Sequence, residues 1–140
     1  MTAVIDATAV VAFCLNEQGL DRERVVSHLR SGVVSIDLVR VESANAILVS
    51  KRRGIVQESQ ASLAFSSMLE ISRDNIKMVP QDDNLISDAF EIGQNVNLAI
   101  YDSLYLSLAR RVGASLLSKD QGQIRAARKL GIEIEDVLGR

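Results

Sequence analysis

Short apolar runs alternate along the chain with longer segments in which apolar residues recur every three or four positions. The runs are predicted to be strands, at residues 3–5, 33–36, 76–79, 114–117 and 132–134. The periodic segments are predicted to be helices, at residues 7–16, 21–31, 38–53, 56–72, 82–94, 99–112 and 121–130. Strands that alternate with helices indicate a parallel sheet with helices on both faces. The expected fold class is therefore α/β, a three-layer α/β/α sandwich with a central parallel sheet of about five strands.

Local signals refine the ends and faces of these elements. Asp37 is predicted to be the N-cap of the helix at 38–53, and residues 135–140 are predicted to form a tail or a single turn. On the helix at 82–94, the residues predicted to face the core are Leu85, Ile86, Ala89 and Phe90. No internal repeat, linker or low-complexity segment is visible, so residues 1–140 are expected to form one domain.

The composition narrows the chemistry that the chain can perform. Cys14 is the single cysteine and His28 the single histidine, which we expect on a helix surface. A disulfide within the chain is therefore impossible, and a Cys/His zinc site or catalysis by two histidines is disfavoured. No signal peptide opens the chain, and no apolar run is long enough to span a bilayer. We expect a soluble protein that does not enter the membrane and works in the cytoplasm.

The charge balance does not exclude binding of a phosphate-rich ligand. The chain has 16 Lys and Arg against 18 Asp and Glu, so its formal net charge of −2 does not by itself indicate nucleic-acid binding. If four of the acids held a metal ion, however, the rest of the surface would carry more bases than acids.

Four acidic residues occur where apolar residues are the rule. Asp6 ends the first strand, Glu42 lies on a mostly apolar helix, Asp102 begins the most apolar helix, and Asp120 follows the fourth strand. An unpaired buried carboxylate costs several kcal/mol or becomes protonated, whereas a divalent cation removes that penalty. Hard oxygen ligands select Mg²⁺ or Mn²⁺ rather than zinc.

Each of these acids also has an ordinary structural interpretation. Asp120 fits an N-cap, with Gln123 completing a capping box, and Asp102 suits the positive end of a helix dipole. Glu42 fits a solvated stripe of its helix, whereas Asp6 is expected to have no local role at the end of an apolar strand. The joint placement of all four at strand ends and helix starts favours a metal site.

At these positions the chain resembles the PIN-domain family, of the VapC toxin type found in toxin–antitoxin pairs. The segments that carry the resemblance are 4–8 (VIDAT), Glu42, 101–109 (YDSLYLSLA) and 116–120 (LLSKD). These four segments, in this order, extend over essentially the whole chain, and together they are more specific for the family than any one of them alone. Residues 121–123 (QGQ) depart from the basic or aromatic continuation that is usual in the family.

The resemblance implies a metal-dependent endoribonuclease that leaves a 5′-phosphate and a 3′-hydroxyl. One or two Mg²⁺ or Mn²⁺ ions would be held by Asp6, Glu42, Asp102 and Asp120. Thr8 and Ser118 would support these ligands as second-layer hydroxyls.

The resemblance also implies partners, namely an RNA substrate, a VapB-like antitoxin and a second copy in a homodimer. The candidate RNA contacts are Arg40, Lys51, Arg52, Arg53, Lys119 and Arg125. Lys51–Arg53 has an equally good alternative interpretation, as basic residues at a helix C-terminus. Helices 38–53 and 56–72 are expected to offer a groove to an amphipathic antitoxin helix. Tyr101 and Tyr105 can stack on a base, but core or dimer packing is the better interpretation.

Two other functions remain open from the sequence. A non-catalytic PIN-like binding module is one alternative, and the presence of all four acids argues against it. A haloacid-dehalogenase-like phosphatase is the other, but that family needs a second Asp where this chain has Thr8. A response-regulator receiver is disfavoured because the third strand ends at Pro80 instead of a phosphorylatable Asp.

Overall fold

The computed structural model describes residues 2–140, and within them five strands alternate with seven helices along the chain. The strands are β1 (Ala3–Ile5), β2 (Val33–Ile36), β3 (Ile76–Val79), β4 (Ser115–Ser118) and β5 (Ile134–Asp136). The helices are α1 (Ala7–Cys14), α2 (Arg22–Ser31), α3 (Leu38–Arg52), α4 (Glu58–Asp74), α5 (Asp83–Val96), α6 (Ile100–Val112) and α7 (Gln121–Lys129). None of the helices in residues 2–140 is both long and apolar enough to cross a membrane.

All five strands lie in one parallel sheet, in the order β3-β2-β1-β4-β5. The central pair, β1 and β4, is buried along its whole length and is aligned so that Ile5 lies opposite Leu117. The strand order reverses between these two strands, because β1 continues to β2 and β3 on one side while β4 leads to β5 on the other. In open α/β sheets such a reversal opens a crevice at the carboxyl ends of the strands.

The helices form two layers, one on each face of the sheet. Helices α1, α3 and α4 contact one another, and α5 and α7 both contact α6. Right-handed crossovers place the helices that link β1, β2 and β3 on one face, and those that link β3, β4 and β5 on the other. The expected three-layer α/β/α arrangement with five parallel strands is confirmed.

Backbone geometry moves several element boundaries from their predicted places. Helix α1 ends at Cys14 instead of residue 16, because Asn16 takes a positive φ of 52°. Helix α4 begins at Glu58, since Gln57 and Gln60 form a capping box around its first turn.

The last strand lies two residues further along the chain than predicted. Residues 132–134 were expected to form it, whereas β5 is Ile134–Asp136 and includes part of the predicted tail. The Ile132 N–H donates to the Ala127 carbonyl at 2.9 Å, so Ile132 belongs to the turn that caps the end of α7. Pairing with β4 begins only where Leu116 lies opposite Ile134.

Only one narrow stripe of α5 faces the core. Leu85 and Ala89 are buried as predicted, but Ile86 is 42% exposed and Phe90 is 61% exposed, so their expected inward orientation is wrong. The buried residues of α5 are Leu85, Ala89 and Ile92, at the spacing i, i+4 and i+7. This single stripe is the part of α5 that packs against the protein, with α6 as its main neighbour.

Candidate metal centre

Two of the four candidate acids follow the central strands at the point where the strand order reverses. Asp6 comes directly after β1, and Asp120 comes two residues after the last residue of β4. The Asp6 N–H donates to the Leu117 carbonyl at 3.2 Å, which fixes the end of β1 against β4. Both carboxylates therefore lie at the crevice that this topology creates.

Asp6 is almost completely buried, with 2% of its surface exposed. Its Oδ1 atom accepts hydrogen bonds from the Ala9 N–H at 3.0 Å and from the Thr8 hydroxyl at 2.7 Å. Asp6 is therefore the N-cap of α1, and the expectation that it has no local role is wrong. These two bonds use one carboxylate oxygen only.

The hydroxyls of Thr8 and Ser118 join the ends of the two central strands. Thr8 Oγ1 accepts a hydrogen bond from the Lys119 N–H at 3.1 Å and lies 3.3 Å from Ser118 Oγ. Ser118 Oγ in turn accepts from the Asp120 N–H at 3.1 Å. Both hydroxyls predicted to support the acids thus lie between Asp6 and Asp120.

Asp120 is the N-cap of α7, where its Oδ2 atom accepts from the Gln123 N–H at 3.2 Å. The predicted capping box is only half formed. The Gln123 side chain is buried, and neither its amide nitrogen nor its amide oxygen has a hydrogen-bond partner in residues 2–140. Asp120, like Asp6, therefore binds its helix through one oxygen.

The other two acids approach the crevice from helices on opposite faces of the sheet. Asp102 lies in the first turn of α6 and is half-buried. Glu42 lies on α3, also half-buried, and its Oε1 atom accepts a hydrogen bond of 2.5 Å from the Tyr105 hydroxyl. Tyr105 is three residues after Asp102, so both side chains project from the same side of α6.

The carboxylates influence one another electrostatically. Burial raises the pKa of Asp6 to about 6, against the lowering effect of its hydrogen bonds, and the charge of Asp120 adds to the rise. Burial also raises the pKa of Asp102, with further contributions from the negative charges of Asp120 and Glu42. Burial and the hydrogen bond to Glu42 raise the pKa of Tyr105 far above its ordinary value. The four acids thus form one cluster of like charges.

The chemistry of this cluster fits a hard divalent cation. Its donors are all carboxylate oxygens, and like charges brought together in a buried place are stabilised by a bound cation. Asp6, Glu42 and Asp120 each give one oxygen to a protein donor. In residues 2–140, however, no group of three or more Asp, Glu, His or Cys side chains is placed to hold an ion as the side chains stand. Binding would require them to converge further.

The candidate RNA contacts separate into two groups. Arg40 lies in the first turn of α3, Lys119 adjoins Asp120, and Arg125 lies in the second turn of α7, so these three are near the acids. Lys119 forms a salt bridge with Glu17. The remaining three are at the other end of α3, since ten residues separate Glu42 from Arg52, which is about 15 Å along the helix; they are Lys51, Arg52 and Arg53.

The two tyrosines and the histidine have different surroundings. Tyr101 is 55% exposed, whereas Tyr105 is 1% exposed and belongs to the core. His28 lies half-buried on α2, where its Nε2 atom is 3.0 Å from Glu135 Oε2. The sequence predicted packing for Tyr105 and did not predict its contact with Glu42; the spacing from Asp102 indicates only that Tyr105 lies on the same side of α6 as that acid.

Comparison with known proteins agrees with this arrangement. Residues 3–129 match the family described as the PIN domain. The chain belongs to the PIN-domain family. Within this family, Ribonuclease VapC3 of Pyrobaculum aerophilum is 30% identical over 122 residues, which are 86% of this chain and 91% of that protein. The resemblance to VapC-type PIN proteins is confirmed.

Solved structures share the PIN fold at low sequence identity. PAE2754 from Pyrobaculum aerophilum superposes with a TM-score of 0.70 at 20% identity, covering 96% of this chain and 92% of that one. VapC20 of Mycobacterium tuberculosis, described as a sarcin-ricin loop cleaving toxin, gives 0.65 at 15% identity over 89% and 94% of the two chains. VapBC2 from Rickettsia felis, bound to a promoter DNA fragment, gives 0.68 at 12% identity over 96% and 98%.

Proposed function

We propose that this PIN-domain chain is a Mg²⁺- or Mn²⁺-dependent endoribonuclease and the toxin of a VapBC-type pair. The observation that carries the proposal is the cluster of Asp6, Glu42, Asp102 and Asp120 at the crevice between β1 and β4. The similarity to Ribonuclease VapC3 supports the same reaction class.

In this proposal the four carboxylates would hold one or two ions. The chemistry that such an ion supplies when bound is activation of a water and polarisation of the scissile phosphodiester. Thr8 donates to Asp6 Oδ1, and Ser118 accepts from the Asp120 N–H, so the two hydroxyls orient the segments that carry these acids. Arg40 and Arg125, which are exposed, would contact phosphates of the bound RNA.

The proposed protein partner is a VapB-like antitoxin that inhibits the nuclease. The groove between α3 and α4 has an apolar part, in which Leu48 is 45% exposed and Phe65 is 43% exposed, and a polar border that includes Lys51 and Glu58. It suits one face of an amphipathic helix. We further propose a homodimer, and the cytoplasm as the place of action, because RNA and a protein antitoxin are both made there.

The test is cleavage of end-labelled RNA by the purified protein in Mg²⁺ or Mn²⁺, with EDTA as the metal-free control. We expect cleavage that EDTA abolishes and that Asp102→Asn reduces by about a hundredfold or more, because a metal ligand is lost. Asp83→Asn is the matched control, since Asp83 occupies the first turn of α5 as Asp102 occupies that of α6, but is exposed. This control should cleave like the wild type.

The outcomes separate the proposal from its two alternatives. Cleavage that persists in EDTA or in Asp102→Asn would contradict the proposed centre. A protein that neither cleaves RNA nor binds Mn²⁺ would be a non-catalytic PIN-like module. Trapping of an acyl-phosphate on Asp6 would instead favour the phosphatase.

A further inference from the structure

Tyr105 is the largest of the completely buried side chains, and its hydroxyl lies among the acids. Its ring belongs to the core of the protein, while its Oη atom reaches Glu42 Oε1 at 2.5 Å. A tyrosine hydroxyl is neutral at physiological pH, so it can donate a hydrogen bond to a carboxylate without adding a charge. Tyr105 is therefore a neutral donor inside a cluster of negative groups.

Glu42 needs such a donor, because the bond from Tyr105 is the one hydrogen bond that its side chain makes within residues 2–140. It projects from α3, on the opposite face of the sheet from Asp102, and the two carboxylates repel each other. A glutamate has three rotatable side-chain bonds, so repulsion favours conformations that carry its carboxylate out into water. The tyrosine ring, by contrast, has two rotatable bonds and is fixed by core packing.

We propose that Tyr105 is a positioning residue that holds the Glu42 carboxylate at the crevice, joining the helical layers on the two faces of the sheet at the metal centre. The inference rests on the proposed function, since Glu42 is one of the proposed ligands. It adds a role for a residue that neither binds the ion nor reacts.

The first test compares Mn²⁺ binding by the wild type and by Tyr105→Phe, measured by titration calorimetry on the complete chain. The substitution keeps the ring and removes only the donor, so the fold should persist, which circular dichroism checks. We expect Mn²⁺ affinity to fall about tenfold or more, as when a hydrogen-bond partner of a metal ligand is removed. Tyr101→Phe is the matched control, since it removes a hydroxyl one turn earlier on α6 from an exposed residue, and its Mn²⁺ affinity should equal that of the wild type.

A double-mutant cycle shows whether the effect passes through Glu42. In a Glu42→Ala background, Tyr105→Phe should change Mn²⁺ affinity less than twofold, because the group that Tyr105 positions is already absent. A general structural role for the hydroxyl would instead reduce the affinity by the same factor in both backgrounds.

The results distinguish failure of this inference from failure of the proposed function. If the wild type and Tyr105→Phe bind Mn²⁺ equally tightly, or if the two substitutions act independently, the positioning role is overturned and the metal centre stands. If the wild type binds no Mn²⁺, the metal centre itself is contradicted and the positioning role with it.

Discussion

Asp6 performs two tasks whose demands conflict. As an N-cap, the Asp6 carboxylate stabilises α1 by accepting a hydrogen bond from a free N–H group of its first turn. Because the side chain is only 2% exposed, however, ionising it costs free energy, since water cannot hydrate the charge. Thr8 and the Ala9 N–H offset part of that cost. The remaining cost is expressed in the pKa of Asp6, which burial raises to about 6.

This conflict predicts that Asp6→Asn stabilises the metal-free protein above neutral pH. The pKa of Asp6 rises from 3.8 in the unfolded chain to about 6 in the folded one, so stability falls as the pH rises through that window and stays lower above it. Asparagine keeps the cap without the charge, so we expect a gain of about 3 kcal/mol at about pH 7.5.

Urea unfolding in EDTA measures this gain. At about pH 4, where Asp6 is protonated in the folded state, the variant and the wild type should differ little in free energy of unfolding. Mg²⁺ should then stabilise the wild type more than the variant. A variant that is less stable than the wild type at about pH 7.5, but not at about pH 4, would show that the cap requires the negative charge.

Thr8 is the residue whose hydroxyl connects Asp6 to the start of the segment 118–120. Thr8→Val keeps the shape but removes a donor to Asp6 and an acceptor for the Lys119 N–H, so we expect a loss of about 1–3 kcal/mol in free energy of unfolding. Thr8→Ser keeps both bonds and should lie close to the wild type. Equal stability of the valine and serine variants in urea unfolding would contradict this role.

At the scale of elements, the turn between α5 and α6 sets the position of Asp102. Gly93 of α5 lies so close to this turn that a Cβ atom there would be 2.8 Å from the Leu98 carbonyl oxygen and 3.2 Å from Ser103 Oγ. The first of these atoms is backbone and cannot rotate away. A residue with a side chain at this position would therefore displace the start of α6.

Gly93→Ala should accordingly destabilise the protein, although alanine is the better helix former by about 1 kcal/mol. We expect a net loss of about 1–3 kcal/mol, because the added methyl overpacks the contact between the turn and α5. Gly122→Ala in α7 is the matched control: its nearest neighbours would be at 3.6 and 3.9 Å, and it should be neutral or stabilising. Thermal unfolding measures the stability of both variants against the wild type. If Gly93→Ala were more stable than the wild type, the close contact would be contradicted.

Sequence patterns predicted the bounds of elements in which apolar residues recur with a regular period. They did not predict bounds that depend on which residues of two strands pair. Strand β2 and helix α6 were predicted within one residue, because β-branched runs and apolar stripes are local properties. The place of β5 depends on which residues meet β4, which no local pattern contains. The exposure of Phe90 depends on how little of α5 the neighbouring helix covers.

The candidate site divides in the same way. The four acids were predictable because a carboxylate in an apolar setting is anomalous in the sequence itself. The capping by Asp6 was missed because it depends on the direction in which α1 leaves the strand. The contact between Tyr105 and Glu42 was missed because 63 residues separate them and only the fold brings them together.

At the scale of the whole molecule, a chain of net charge −2 must bind a polyanion through a local excess of bases. The bases near the acids are Arg40, Lys119 and Arg125, of which Lys119 already pairs with Glu17. The three bases at the end of α3 are about 15 Å from Glu42 along the helix, and Lys51 lies 3.8 Å from Glu58. RNA that reaches the acids therefore meets about three bases, unless it also extends along α3.

Salt dependence of RNA binding distinguishes these two paths. Each phosphate neutralised on single-stranded RNA contributes about −0.7 to the slope of log affinity against log salt, so three contacts predict a slope of about −2, and six about −4. Fluorescence anisotropy of Asp102→Asn with labelled RNA in EDTA, at about 50 to 200 mM KCl, gives the slope without cleavage. Arg125→Ala should make it shallower by about 0.7, whereas joint replacement of residues 51–53 by alanine should leave it unchanged. A wild-type slope near −4 that becomes shallower when residues 51–53 are replaced would mean that the RNA also binds along α3, away from the acids.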